Sequence, residues 1–309
     1  MKRFFTILIS IVFYSTATAQ TFQELSKMGI QHYQAKNYEA AIKSYTAAIS
    51  INAVDPNIWY NRGQAYYFSG QINLAISDYS RALQLDPRLI NGWFQRGLSY
   101  NKIKDHTKAI ADYTAGIALM PNDAQFYYNR GIAYFDRGDT AYSLTDYNKA
   151  LELKPGYAKV YVNRSKIFHG RKQHRTALTD IMKAIQLDSS YYEAWTNRGV
   201  IYNALNQPDS AIADFDKAIS IDPNKPKAYV DKSVSLNKKG LNDLAIASLD
   251  KAIAVDPAYK SAYLMRGAIY FDTKNYTASK KDMDKVLELD PGNKFAVNVL
   301  GKINALPPQ

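Results

Sequence analysis

The sequence predicts an all-α solenoid of stacked helix pairs. Three observations carry this: a small residue returns every 34 positions from Gly29 to Gly301 without an insertion, large side chains recur at helical spacing, and a proline closes most units. The register runs through Gly29, Gly63, Gly97, Gly131, Ser165, Gly199, Ser233, Gly267 and Gly301. With that residue as position 8, eight units span 22–55, 56–89, 90–123, 124–157, 158–191, 192–225, 226–259 and 260–293. A partial ninth unit, 294–305, and a short flexible tail, 306–309, complete the chain.

Residues 1–19 stand before the first unit. Lys2 and Arg3 make a basic start, Phe4 to Tyr14 an apolar run, and Ala17-Thr18-Ala19 a small-residue junction. This order is that of a secretory signal peptide, cleaved after Ala19 or retained as an N-terminal anchor. The apolar run is short for a bilayer span, which needs about 20 residues, and no later stretch qualifies, so the mature chain carries no transmembrane span. An exported chain, periplasmic or secreted, is the expectation.

Each unit then reads as two helices. In the first, position 4 is aromatic from the second unit on (Trp59, Trp93, Tyr127, Tyr161, Trp195, Tyr229, Tyr263), position 8 is small, and position 11 is usually aromatic (Tyr66, Tyr100, Tyr134, Phe168, Tyr202, Tyr270). That i, i+4, i+7 stripe predicts one buried helix face. In the second helix, a small residue at position 20 sits one turn before a bulky one at 24 (Tyr45, Tyr79, Tyr113, Tyr147, Ile181, Phe215, Leu249, Met283). Small beside large lets two helices approach closely. Proline at position 32 (Pro87, Pro121, Pro155, Pro223, Pro257, Pro291) ends the second helix, with Ala53 and Ser189 as departures.

Period, aromatic, small-residue and proline positions together resemble the tetratricopeptide repeat from Phe22 to Ala305. The resemblance implies antiparallel helix pairs stacked into a right-handed superhelical solenoid, with the first helices lining a concave groove. Residues 294–305, with Asn298, Lys302 and Asn304, are expected to form the solvating cap that such stacks need.

The family ordinarily has an apolar residue at position 7, whereas this chain has Arg62, Arg96, Arg130, Arg164, Arg198 and Arg266. Position 7 borders the stripe, and a half-buried guanidinium requires a partner. Sixteen residues later stand Asp78, Asp112, Asp146, Asp180, Asp214 and Asp282. Where the basic residue weakens to Lys232 the acid becomes Ser248, and Met28 accompanies Ser44. Arginine and acid vary together within a unit, which predicts structural Arg–Asp pairs between its two helices. The competing reading is a row of arginines gripping an anionic ligand.

Composition narrows the chemistry. The chain has no cysteine, 47% hydrophobic residues, 25 tyrosines and a formal charge of +11, or +9 once Lys2 and Arg3 are removed. Absence of cysteine excludes disulfides, thiolate metal sites and a thiol nucleophile. His32, His106, His169 and His174 are scattered; "HGRKQH" straddles a helix–helix turn without a third ligand. "DFD" at 214–216 and "DMD" at 282–284 place their acids on different sides of a helix. No nucleotide-binding or nucleophile-elbow motif occurs. No enzyme, cofactor, metal or nucleic-acid partner is expected.

Function should then lie on the groove face, at positions 2, 6, 9 and 13 if the family geometry holds. In the early units this face carries amides: Asn57, Asn61, Gln64, Asn91, Gln95, Gln125, Asn129, continuing with Asn163 and Asn197. Each amide offers a donor and an acceptor and can bracket the peptide bond of an extended chain. Tyr60, Tyr67, Phe94, Tyr128 and Phe135 flank them with flat apolar surface. The row at position 6 resembles the asparagine ladder of the repeat region of O-linked N-acetylglucosamine transferases. Here it fails at Asp231 and Met265, and no catalytic domain is expected after it. The lysine and arginine clamp of chaperone-tail receptors is missing from positions 5 and 9. The sequence therefore points to a non-enzymatic scaffold of the cell envelope that binds an extended protein or peptide segment. Generic solvation of the amides, or electrostatic attachment to an acidic envelope polymer or membrane surface, is the alternative.

Overall fold

A computed structural model describes residues 19–306. The leader expected over residues 1–19 thus lies outside the described residues except for Ala19. All seventeen segments of regular structure among the described residues are helices. The chain divides into two compact units between Pro155 and Gly156.

The first unit holds four antiparallel pairs: α1 (19–34) with α2 (Tyr38–Ile51), α3 (Pro56–Phe68) with α4 (Ile72–Leu85), α5 (Ile90–Lys102) with α6 (His106–Leu119), and α7 (Ala124–Arg137) with α8 (Thr140–Leu153). The second holds α9 (Ala158–Gly170) with α10 (His174–Leu187), α11 (Tyr192–Ala204) with α12 (Pro208–Ile221), α13 (Pro226–Lys238) with α14 (Asn242–Val255), α15 (Lys260–Asp272) with α16 (Tyr276–Leu289), and the single α17 (Lys294–Asn304). Below, helix A and helix B are the first and second of each pair.

Turn chemistry repeats with the period. Between A and B, position 15 is left-handed in all eight pairs: Gly70, Gly138 and Gly240 take it without strain, while Lys36, Lys104, Lys172, Asn206 and Lys274 take it with φ between 56° and 63°. Between B and the next A, Asp86, Asp188, Asp222 and Asp256 each accept the N–H two residues on at 2.9–3.1 Å, an Asx turn that feeds the chain into the next helix. Trp59, Trp93 and Trp195 donate their indole N–H to the loop carbonyls of Ala53, Pro87 and Ser189 at 2.9 Å, tying helix A to the preceding turn.

The buried positions of helix A share position 8 with the stripe that the sequence suggests, but the other two lie one residue earlier. Positions 3, 8 and 10 are buried (Ile58, Gly63, Ala65; Phe126, Gly131, Ala133; Ala262, Gly267, Ile269), whereas the rings at 4 and 11 are only half-buried. Positions 3 and 10 pack on helix B of the preceding pair: Ile58 and Ala65 join Ala41, Tyr45 and Ala48, and Ala262 and Ile269 join Ala245, Leu249 and Ala252. Each core cluster therefore spans two successive pairs, which is how a repeat array is stabilised.

Position 8 is small because the side chain at position 24 leans on it. A Cβ on Gly63, Gly97, Gly131 or Gly199 would lie 2.6–2.7 Å from a ring atom of Tyr79, Tyr113, Tyr147 or Phe215. Where position 8 is Ser165 or Ser233, position 24 is the smaller Ile181 or Leu249.

Candidate functional site

The arginines at position 7 are built into the array. In all six pairs Nε and one Nη donate to the two carboxylate oxygens of the aspartate sixteen residues later, at 2.7–2.9 Å. The aspartates are buried and the arginines nearly so; for Arg130 and Asp146 the side-chain exposures are 17% and 4%. Positions 4 and 11 supply rings on the guanidinium: Arg62 lies 4.9 Å from the Trp59 ring centre and 5.6 Å from that of Tyr66, and Arg198 lies 4.7 and 5.8 Å from Trp195 and Tyr202. This explains the aromatic stripe: its rings hold a cation at the edge of the core. Burial pushes the Asp78 carboxyl up, but Arg62 is held charged because its hydrogen bonds to Asp78 and the carboxylate charge outweigh desolvation.

One feature was not legible in the sequence. The remaining Nη reaches back to position 25 of the previous helix B: Arg62 to Thr46, Arg96 to Ser80 and Arg130 to Thr114, each at 3.0 Å. Arg266 reaches Asp250 in the same way. Each such guanidinium joins its own two helices and the pair before it. Lys232, which faces Ser248 rather than an acid at position 23 of its own pair, pairs backward with Asp216 at 2.6 Å. The "DFD" acids therefore serve two different cations: Asp214 binds Arg198 and Asp216 binds Lys232.

On the opposite edge of helix A lie the expected groove residues. In the first unit, Asn57, Asn91 and Gln125 are exposed, and Asn61, Gln64, Gln95 and Asn129 are half-buried. Helices α3, α5 and α7 touch in succession, so Asn61, Gln95 and Asn129 form a row, one from each. Gln64 donates to the Tyr60 hydroxyl at 2.9 Å and Asn129 to the Gln125 carbonyl at 2.8 Å.

The flanking rings are less available than the sequence reading supposes. Tyr60, Phe94 and Tyr128 lean on the buried rings Tyr79, Tyr113 and Tyr147 at centroid distances of 5.8, 6.1 and 6.3 Å, and Phe94 also meets Phe126 at 5.3 Å. Each contributes to packing as well as to the surface. Tyr67 is covered by the Lys102 ammonium, 4.8 Å from its ring, and Phe135 stays exposed. An exposed Phe68 joins Tyr33 and Tyr38, stacking on the latter at 5.8 Å.

In the second unit, Asn163 accepts from Lys166 at 3.1 Å. Asn197 lines a cavity of about 80 Å³ with Ser165, Lys166, His169, Val200 and Ile201, and its Nδ2 is buried without a partner. His169 and His174, the ends of the "HGRKQH" stretch, meet across the α9–α10 turn with Nδ1 atoms 3.1 Å apart. Burial, then the neighbouring His174, holds His169 below its ordinary value. The lysines are largely engaged: Lys227 pairs with Asp231, Lys225 with Glu193 at 3.3 Å, and Lys238 donates to the Asn203 carbonyl at 2.9 Å. No group of three or more His, Cys, Asp or Glu converges among the described residues, and no described helix is long and apolar enough to cross a membrane.

Comparison with known proteins agrees with this geometry. Residues 56–89, 124–157 and 192–225 match the tetratricopeptide repeat, as do 226–259 and 261–293, and residues 29–70 and 97–138 match a TPR repeat model. Residues 174–205, a helix B followed by a helix A, match the protein prenyltransferase alpha subunit repeat. No curated protein matches the chain. Among solved structures, the APC/C hetero-tetramer Cut9–Hcn1 aligns with a TM-score of 0.66 at 13% identity, covering 89% of this chain; the chain spans 54% of that one. Pseudomonas aeruginosa pilF aligns at 0.59 and 17% identity over 69% of this chain and 97% of its own. A tetratricopeptide repeat protein from Parabacteroides merdae aligns at 0.53 and 17% identity over 92% and 99%. These likenesses are of fold.

Proposed function

The chain belongs to the tetratricopeptide repeat family, and from that premise we propose that it is a non-enzymatic scaffold whose first unit holds an extended segment of a partner protein along α3, α5 and α7. The supporting observation is the row Asn61, Gln95 and Asn129, which lies on the edge of helix A away from the arginine pairs. Packed helices lie roughly 8–10 Å apart and an extended chain rises about 3.3 Å per residue, so one amide meets about every third residue of a bound strand. The amides bracket the backbone; exposed Phe68 and Phe135 contact side chains. Export supplies the setting: Lys2 and Arg3, the apolar run to Tyr14 and the Ala17-Thr18-Ala19 junction support delivery to the cell envelope.

Site-specific photo-crosslinking in the native host tests the groove. A crosslinker at Asn57, Asn91 or Gln125 should trap a protein that one at Lys183, on α10, does not, and Asn61, Gln95 and Asn129 changed together to Ala should weaken that adduct while leaving the melting temperature near wild type. Equal trapping at Lys183, or an adduct insensitive to the triple change, overturns the reading. Export is tested by mass spectrometry of the native protein, which should begin at Gln20; recovery of an intact Met1-to-Gln20 peptide from it refutes cleavage.

A further inference from the structure

The seventh pair, α13 and α14, differs from the six that hold a guanidinium between their helices. Three changes coincide: Lys232 stands for arginine at position 7, Ser248 for aspartate at 23, and Leu236 for the ring at 11. The Lys232 ammonium has turned away to Asp216 on α12, and the Ser248 hydroxyl donates to the Tyr229 carbonyl at 2.9 Å. No guanidinium lies between these two helices, and Leu236 is smaller than the ring it replaces. A cavity of about 390 Å³ opens there, lined from α12, α13 and α14 and sharing no residue with the amide row.

Its walls say what it accepts. Ile212, Ile219, Tyr229, Leu236 and Leu244 make it mainly apolar, and Leu244 is 57% exposed at its rim. The volume lies in the range of about 300–1,000 Å³ typical of small-molecule sites, as does the balance of an apolar lining with few polar groups. Charge then selects. Asp216 is neutralised by Lys232, and the buried acid that receives a cation in six other pairs is absent. Lys251 is left over. Of its lysine counterparts at position 26, three are engaged three residues on, Lys149 with Glu152 at 2.6 Å, Lys183 with Gln186 at 3.0 Å and Lys285 with Glu288 at 2.6 Å, whereas Lys217 has Ser220 there and makes no such bond. For Lys251 that residue is Ala254, and its ammonium makes no ion pair in the described structure.

We propose that this cavity is a binding site for a small amphipathic acid, with an aromatic or branched aliphatic body between α12, α13 and α14 and one carboxylate on Lys251. The body replaces the ring and guanidinium found in six other pairs, and the carboxylate receives a charge-assisted hydrogen bond from the unpaired ammonium. The site is independent of the groove: it lies wholly in the second unit and needs no bound peptide.

Titration of the purified chain with 4-phenylbutyrate, followed by methyl NMR of Ile212, Ile219, Leu236 and Leu244, tests the site. Saturable shifts confined to these methyls are expected. The neutral 4-phenylbutanol should bind about tenfold more weakly, as should 4-phenylbutyrate to a Lys251→Gln variant, the loss of one charge-assisted contact. The cation 4-phenylbutylamine should bind more weakly than either neutral or acid. The triple variant Lys232→Arg, Leu236→Tyr, Ser248→Asp rebuilds the arrangement of the other pairs and fills the cavity, so it should fold, melt higher than wild type and lose the response. No shift at millimolar 4-phenylbutyrate, equal binding of the amine, or an undiminished response in the folded triple variant overturns the proposal.

Discussion

Replacing Gly131 by alanine tests whether the small residue at position 8 is required by packing. In an unconstrained helix the change gains about 1 kcal/mol, because glycine is the poorer helix former. Gly131 is constrained: a Cβ there lies 2.6 Å from Cε1 and 2.8 Å from Cδ1 of Tyr147, and Asp146 Cβ is 3.4 Å away. Carbon atoms rest at about 3.5–4.0 Å, so the ring must withdraw by about 1 Å. Tyr147 is 1% exposed and has nowhere to go. Overpacking of this kind costs about 1–3 kcal/mol, which cancels or reverses the helix gain and leaves Gly131→Ala neutral to about 2 kcal/mol destabilising. Gly301 in α17 is the control, since a Cβ there meets nothing within 4 Å and Gly301→Ala should gain close to the full propensity term. Repeating Gly131→Ala in a Tyr147→Ile background, which imitates Ser165 with Ile181, should make the alanine favourable. The readout is hydrogen-exchange protection of the α7 and α8 amides, with urea unfolding of the whole chain alongside. Stabilisation by Gly131→Ala matching that of Gly301→Ala, or a coupling with Tyr147→Ile below about 0.5 kcal/mol, refutes the packing argument.

Three further outcomes are expected. Asp146→Leu should cost about 3 kcal/mol by stranding the Arg130 guanidinium, while adding Arg130→Leu should recover more than half of it; urea unfolding measures both, and no recovery in the double variant contradicts the pairing. Lys104 at φ 63° is strained, so Lys104→Gly should stabilise by about 0.5–1 kcal/mol and Gly70→Lys, the reverse change at the same position, should destabilise comparably, read by melting temperature. His169 is depressed in the folded chain from an ordinary value of 6.5, so the unfolded chain binds more protons as pH falls through that value. Stability of α9 and α10 is accordingly full above pH 6.5 and declines toward the lowered folded value, a decline seen by hydrogen exchange and removed by His169→Phe with His174→Tyr, the pair found at Phe271 and Tyr276.

How far the sequence reaches is visible in the arginine residues. Their pairing with an acid sixteen positions later follows from a fixed period and from covariation of Lys232 with Ser248 and Met28 with Ser44, both properties of the linear chain. The αL turn at position 15 was equally present in the sequence, but its alternation of lysine with glycine hid it, since lysine carries no turn signal. The match of Gly131 to Tyr147 and of Ser165 to Ile181 was also present and could have been found by comparing the sizes of positions 8 and 24.

What the sequence alone determined is the repeat: helical period, pair boundaries, internal salt links and the surface on which amides gather. What only the tertiary structure decided is the use of side chains at the margin of each helix. Burial of positions 3 and 10 in place of 4 and 11, each roughly 100° away around the helix, turned the aromatic stripe from core into a cradle for cations and drew Tyr60, Phe94 and Tyr128 partly into packing. It also set which neighbour a long side chain meets, sending Arg130 to Thr114 and Lys232 to Asp216, and opening a cavity where three ordinary substitutions coincide. The physical reason is that periodicity is fixed by the local backbone geometry of a single helix, whereas the partner of a marginal side chain depends on the rotation and spacing of three helices brought together by packing.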